Sequence, residues 1–82
     1  MKTIKCYYRR NLKMSSEKLA AQVGHVTANL SINRAPERIV VLQISDVQFE
    51  EMKKTPRCYV QVDMGLTQLK AGTETVVGFW EE

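Results

Sequence analysis

Histidine occurs once in the 82 residues and cysteine twice, and neither Cys6 nor Cys58 belongs to a CxxC or Cys/His pattern. A structural zinc site therefore lacks its ligands, and a disulfide-stapled secreted domain would need more cysteines. Glycine and proline together fill only six positions, which excludes collagenous and low-complexity chains. The longest unbroken apolar run is Ile39 to Leu42, far short of the roughly 20 residues that cross a bilayer. The N-terminal MKTIKCYYRR carries charge where a signal peptide needs its apolar segment. These absences predict a soluble cytoplasmic protein with no membrane partner and two buried thiols. Phosphate-cradling GxxxxGK[ST] and GxGxxG loops are missing, as is a GxSxG nucleophile elbow. No cofactor or metal is expected.

What is present suffices for a single small core spanning residues 1–82, with 44% hydrophobic residues in an ordinary globular composition. The net charge of +3 is unevenly spread. Residues 1–38 hold eight Lys/Arg against Glu17 and Glu37, whereas the rest hold four against seven acids. A basic half beside an acidic half points to an anionic partner such as a nucleic acid backbone. The alternative is a solvated surface whose charges never gather.

Period-two alternation of Ile4, Cys6 and Tyr8 with Lys5, Tyr7 and Arg9 predicts a strand from Thr3 to Arg9. Ser15 or Ser16 can cap a helix that runs to Leu30, with Glu17 near its positive end. Ala35 before Pro36 ends that region. Ile39 to Ile44, apolar except for Gln43, reads as a central strand covered on both faces. Ser45 and Gln48 fit a capping box for a short second helix, stopped by Thr55-Pro56. Alternation from Cys58 to Val62, a loop from Met64 to Thr73, and alternation from Thr75 to Trp80 complete the order βαβαββ. The expected fold is a small mixed α/β layer with a mostly parallel four-stranded sheet and one antiparallel return.

On the first helix, Leu19, Val23, Val26 and Leu30 form an apolar row. Lys18, Gln22, His25 and Asn29 repeat the same spacing one residue earlier, as a polar row at the rim of the core. Ala20, Ala21, Gly24, Thr27 and Ala28 leave the remaining surface nearly free of bulk. Ligands of such sheets gather at the carboxyl ends of strands, which here include the start of the first helix and the loop after Asp63.

Two segments at those places, RRNLKMSSEKLAAQVGH and VDMGLTQLKAGTETVVGFW, resemble the signature blocks of the type II peptidyl-tRNA hydrolases, the archaeal and eukaryotic class. Those blocks read approximately R-x-D-L-K-M-x-x-G-K-x-A-A-Q-x-x-H and D-A-G-x-T-Q-x-x-P-G-T-x-T, and the likeness extends over most of residues 4–80. It implies hydrolysis of the ester between a peptide and the terminal ribose of tRNA, without a metal. By matching position it implies catalytic roles for Lys18, Asp63, Thr67 and Thr75, with Gln22 and His25 in support. Arg9, Arg10 and Lys13 would contact the tRNA backbone. The chain departs from the family pattern at Ser15, Ser16 and Glu17, where glycines and a second lysine are usual, at Met64, and at Ala71 in place of proline. It is also shorter than most members.

Taken alone, each residue has a plainer role. A lysine at a helix start is commonly a solvated charge, Asp63 before Met64-Gly65 a turn former, and His25 a helix-surface histidine. Tyr7, Tyr8, Tyr59 and Trp80 fit core positions as well as base stacking. The resemblance therefore frames two expectations: a compact peptidyl-tRNA hydrolase using Lys18 and Asp63, or an inactive relative that binds tRNA or a protein. The bare flank of the first helix suits a second subunit, so a homodimer is expected.

Overall fold

A computed structural model describes residues 1–65 and 69–81. The elements follow the predicted order: β1 (Thr3–Arg9), α1 (Ser16–Leu30), β2 (Arg38–Ile44), α2 (Asp46–Met52), β3 (Tyr59–Val62) and β4 (Glu74–Glu81). Among the described residues, no helix is long and apolar enough to cross a membrane.

Both helix starts have a local cause. Ser15 in extended geometry accepts the Lys18 amide on Oγ at 3.1 Å and starts α1. Ser45 and Gln48 form the reciprocal capping box that opens α2, with the Gln48 amide 3.2 Å from Ser45 Oγ and Gln48 Oε1 3.0 Å from the Ser45 amide.

The four strands form one sheet in the order β2-β1-β4-β3. β1 pairs with β2 in parallel, while β4 is antiparallel to both β1 and β3. Strand direction matches the expectation of a mostly parallel sheet, because β1, β2 and β3 all run the same way. The ladders do not, because β4 inserts between β1 and β3 and leaves one parallel pair. The same insertion corrects the reading of Ile39 to Ile44 as a central strand. β2 lies at the edge, with Ile39, Val41 and Leu42 exposed by 46%, 40% and 44%. A continuous apolar run signals that both faces want cover; it does not say where the cover comes from.

The core has two parts, one on each face of the sheet. On one face Ile4, Cys6, Val76 and Val26 of α1 are buried, with Leu19, Val23, Leu30, Tyr8, Tyr59 and Trp80 packed around them. On the other, Phe49 of α2 packs with Ile44 and Val77, flanked by Tyr7, Met52, Cys58 and Val60. α1 approaches β4 most closely at Gly78, where an added Cβ would lie well inside contact distance of Val26 Cγ1 and 3.4 Å from Leu30 Cδ1. Glycine is needed there for space, not for backbone conformation. Burial raises the Cys6 thiol to about 11. Cys58, expected to be buried, is half-buried beside the α2–β3 connection, and its Sγ donates to the Lys53 carbonyl at 3.4 Å.

Candidate active site

The first turn of α1 and the end of β3 meet at one cleft. Lys18 projects from the start of α1, and its Nζ forms an ion pair with Asp63 Oδ1. The lysine side chain is 13% exposed and the aspartate 2%. Asp63 follows β3, where the chain turns into the loop. Its own amide donates to Thr73 O and its carbonyl accepts from the Gly72 amide, both at 2.8 Å. Its Oδ2 accepts the Gly65 amide at 2.8 Å, closing a side-chain turn. Gly65 has φ +78°, and a Cβ there would collide with Ala71, so the turn that holds the carboxylate requires glycine.

Gln22, one helical turn after Lys18, is buried and donates through Nε2 to Asp63 Oδ1 at 3.3 Å. Its Oε1 accepts from the Thr75 hydroxyl at 3.1 Å. The same hydroxyl lies 3.2 Å from Gln61 O, and its single proton serves one of these acceptors at a time. Thr75 is fully buried and reaches Asp63 through Gln22. A bulge explains how it gets there. Gln61 is in register with Val76 and Val62 with Glu74, so Thr75 is the extra residue of β4. It is thereby freed from strict alternation and turns toward α1, on the same side as Val76. Alternation alone could not have revealed this.

These contacts define the electrostatics of the site. The Lys18 ammonium is the main cause that lowers the Asp63 carboxyl below its ordinary 3.8, aided by the Gly65 amide and Gln22 and opposed by burial. The carboxylate is fixed as an anion and the lysine is aimed by it. Beside this pair lies a cleft of about 200 Å³, lined by Lys18, Ala21, Gln22, His25, Gln61, Val62, Asp63 and Met64. The arrangement presents a held cation, a histidine and amide groups to the cleft. Among the described residues, no three His, Cys, Asp or Glu side chains come together as metal ligands.

Lys18, Asp63, Thr75, Gln22 and His25 are thus assembled from α1, β4 and the end of β3. Thr67 lies outside the described residues. Of the three basic residues expected to face an RNA, Arg10 and Lys13 are exposed. Arg9 is bound internally: Nε donates to Asp46 Oδ1 at 3.0 Å, Nη1 donates to Glu74 O at 3.0 Å, and the guanidinium sits 5.7 Å from the Phe49 ring centroid. Gln61 and Gly65 were not singled out in the sequence. Gln61 shares the alternation of Tyr59 and Asp63, which is the signal that could have marked it.

No known family model matches the chain, and no curated protein matches it either.

Proposed function

We propose that the protein hydrolyses the ester between a peptide, or an N-blocked amino acid, and tRNA in the cytoplasm, with Lys18 and Asp63 at the centre of the reaction. The observation that carries this reading is the buried Lys18–Asp63 ion pair, drawn from two distant stretches of chain to the rim of one cleft. An ester needs less activation than an amide, so a positioned water and a cation facing the tetrahedral oxyanion supply the main requirements. The Lys18 ammonium faces the developing negative charge, and Asp63 keeps it aimed. Water adds to the carbonyl carbon and the C–O bond to the ribose breaks. One proton of the water passes to the departing ribose oxygen and the other leaves with the peptide acid. In this reading His25, which lines the cleft, relays the first of these. Gln22, itself held by Thr75, holds the carboxylate, and Arg10 and Lys13 supply sequence-independent contacts to the tRNA backbone.

The active form is proposed to be a homodimer. Ile39 and Val41 of β2 remain exposed next to a largely apolar groove lined by Ser16, Leu19, Ala20, Val23, Gly24 and Val41, of a kind that a second copy would cover. Sedimentation of wild type against Val41→Lys checks this, with a shift from dimer to monomer expected.

The deciding assay is release of an N-acylated amino acid from tRNA by wild type, Lys18→Ala and Asp63→Ala. Removing an oxyanion-stabilising group is expected to lower kcat by about 10²–10³-fold. Turnover equal to buffer in the wild type, or equal in all three proteins, rejects the catalytic reading. Retained salt-dependent tRNA binding without cleavage would favour a tRNA-binding module instead.

A further inference from the structure

One polar atom on the cleft wall stands apart from the hydrogen bonds around it. Gln61 Oε1 is sealed from solvent and meets no donor among the described residues. A buried acceptor left this way is uncommon and disfavoured, because it has given up water and gained nothing in return. Its neighbours are matched. The Gln61 carbonyl lies 3.2 Å from the Thr75 hydroxyl, and Gln22 engages both ends of its amide, Nε2 with Asp63 and Oε1 with Thr75.

The orphaned amide is also loosely held. Gln61 Nε2 donates to the carbonyl of the next residue, Val62, at 3.2 Å in an exposed position, where water competes for the bond. The torsion that ends a glutamine side chain is broad. A rotation about it carries Oε1 into the cleft that Gln61 shares with Lys18, Gln22, His25 and Asp63.

Position indicates which donor it meets there. Lys18 pairs with Asp63, while Gln22, one turn further along α1, reaches both Asp63 and the Thr75 hydroxyl that faces the Gln61 carbonyl. Advancing along α1 therefore means going back along β3. Gln61 precedes Asp63 by two residues, roughly 7 Å of strand, and so lies on the Gln22 and His25 side of the ion pair. In the proposed reaction Lys18 faces the oxyanion and His25 serves the departing ribose oxygen, which puts the sugar on that side. The hydroxyl on the adjacent ribose carbon is the donor nearest to the departing oxygen, whereas the amide N–H of the blocked amino acid lies across the carbonyl from it. Resting on the hydrolase reading for the orientation of the ester, we infer that Gln61 is a specificity residue whose side-chain oxygen accepts a hydrogen bond from the 2′-hydroxyl of the terminal ribose. A site built to pair a substrate hydroxyl penalises the analogue that lacks it, since its own buried group is then left unpaired. The chain would thereby tell an ester of ribose from one of deoxyribose.

The probe is a short RNA with an N-acetylaminoacyl group on its terminal 3′ oxygen, made with and without the 2′-hydroxyl on that sugar. A neighbouring hydroxyl activates the ester by itself, so the informative quantity is the ratio of the two kcat/KM values and its change on substitution. Gln61→Met keeps the length of the side chain and removes the acceptor, and should lower that ratio about tenfold. A merely structural role would slow both substrates alike and leave the ratio unchanged, which would overturn the inference. Binding is read with the corresponding 3′-amide analogues, which resist hydrolysis. Wild type should bind the ribose analogue more tightly and Gln61→Met should bind both equally. Independently of any variant, the Gln61 side-chain amide resonances should respond to the ribose analogue more than to the deoxyribose one, and an equal response would overturn the inference. A Gln61-dependent preference for the ribose analogue in a protein without turnover would refute catalysis alone. Turnover with a ratio indifferent to Gln61 would refute the 2′-hydroxyl contact alone.

Discussion

Replacing Thr75 with valine tests the chain of hydrogen bonds behind the candidate site. The two side chains have nearly the same shape, and Thr75 is fully buried, so the substitution exchanges a hydroxyl for a methyl without opening a cavity. What is lost is the donor to Gln22 Oε1 at 3.1 Å, with Gln61 O as its other acceptor at 3.2 Å. Because one hydroxyl proton makes one hydrogen bond at a time, the relevant figure is a single buried acceptor left unpaired, about 1–3 kcal/mol. The added methyl returns up to about 0.8 kcal/mol of apolar burial. A net loss of about 1–2 kcal/mol is therefore expected. At about 4–8 °C per kcal/mol for a domain of this size, Tm should fall by roughly 5–15 °C. Urea unfolding at constant m-value measures the loss directly. Thr75→Ser, which keeps the hydroxyl, separates the polar contribution from the methyl contribution. A Thr75→Val protein as stable as wild type would refute the assignment of that hydroxyl to Gln22. In the deacylation assay, a positioning role predicts reduced kcat in Thr75→Val with recovery in Thr75→Ser.

Other outcomes follow from the same contacts. Gly78→Ala pushes a methyl into Val26 and should cost about 1–3 kcal/mol by overpacking, with partial recovery when combined with Val26→Ala in thermal melts. The carboxyl of Asp63 is held below 3.8 chiefly by Lys18. Its stabilising contribution should be complete above that ordinary value and disappear as pH falls through the lower folded value. Acid titration of wild type against Asp63→Asn checks this, the difference in stability between them narrowing only below pH 3.8. Cys6, fully buried and raised to about 11, should resist thiol reagents in the native state at pH 8 while half-buried Cys58 reacts.

The elements were legible because their signals are local. The alternation through Tyr8, the Ser15 cap and the Ser45–Gln48 box each act within a few residues, and each element formed where those signals placed it. The place of β2 in the sheet was hidden, because strand order depends on which partners β4 finds. In the candidate site, the four-residue spacing of Lys18 and Gln22 already put them on one side of α1. The depth of Gln22 was not visible in the pattern: a glutamine in a rim row becomes interior only when Asp63 and Thr75 supply its partners. Arg34, Arg57 and Trp80 stand far apart in the chain, so only the folded structure shows them around one cleft.

The central position of β4 constrains how the chain can mature. Thr3 lies opposite Glu81 and Tyr8 opposite Val76, so the sheet cannot join β3 to β1 until the segment that follows β3 has been synthesised. Until then, a nascent polypeptide offers β1 and β2 as an unfinished ribbon with apolar rows uncovered. Such late, long-range closure is slow and exposes the intermediate to aggregation. Moving β4 ahead of β1 by circular permutation should let the middle of the sheet emerge first, trading a distant contact for a neighbouring one.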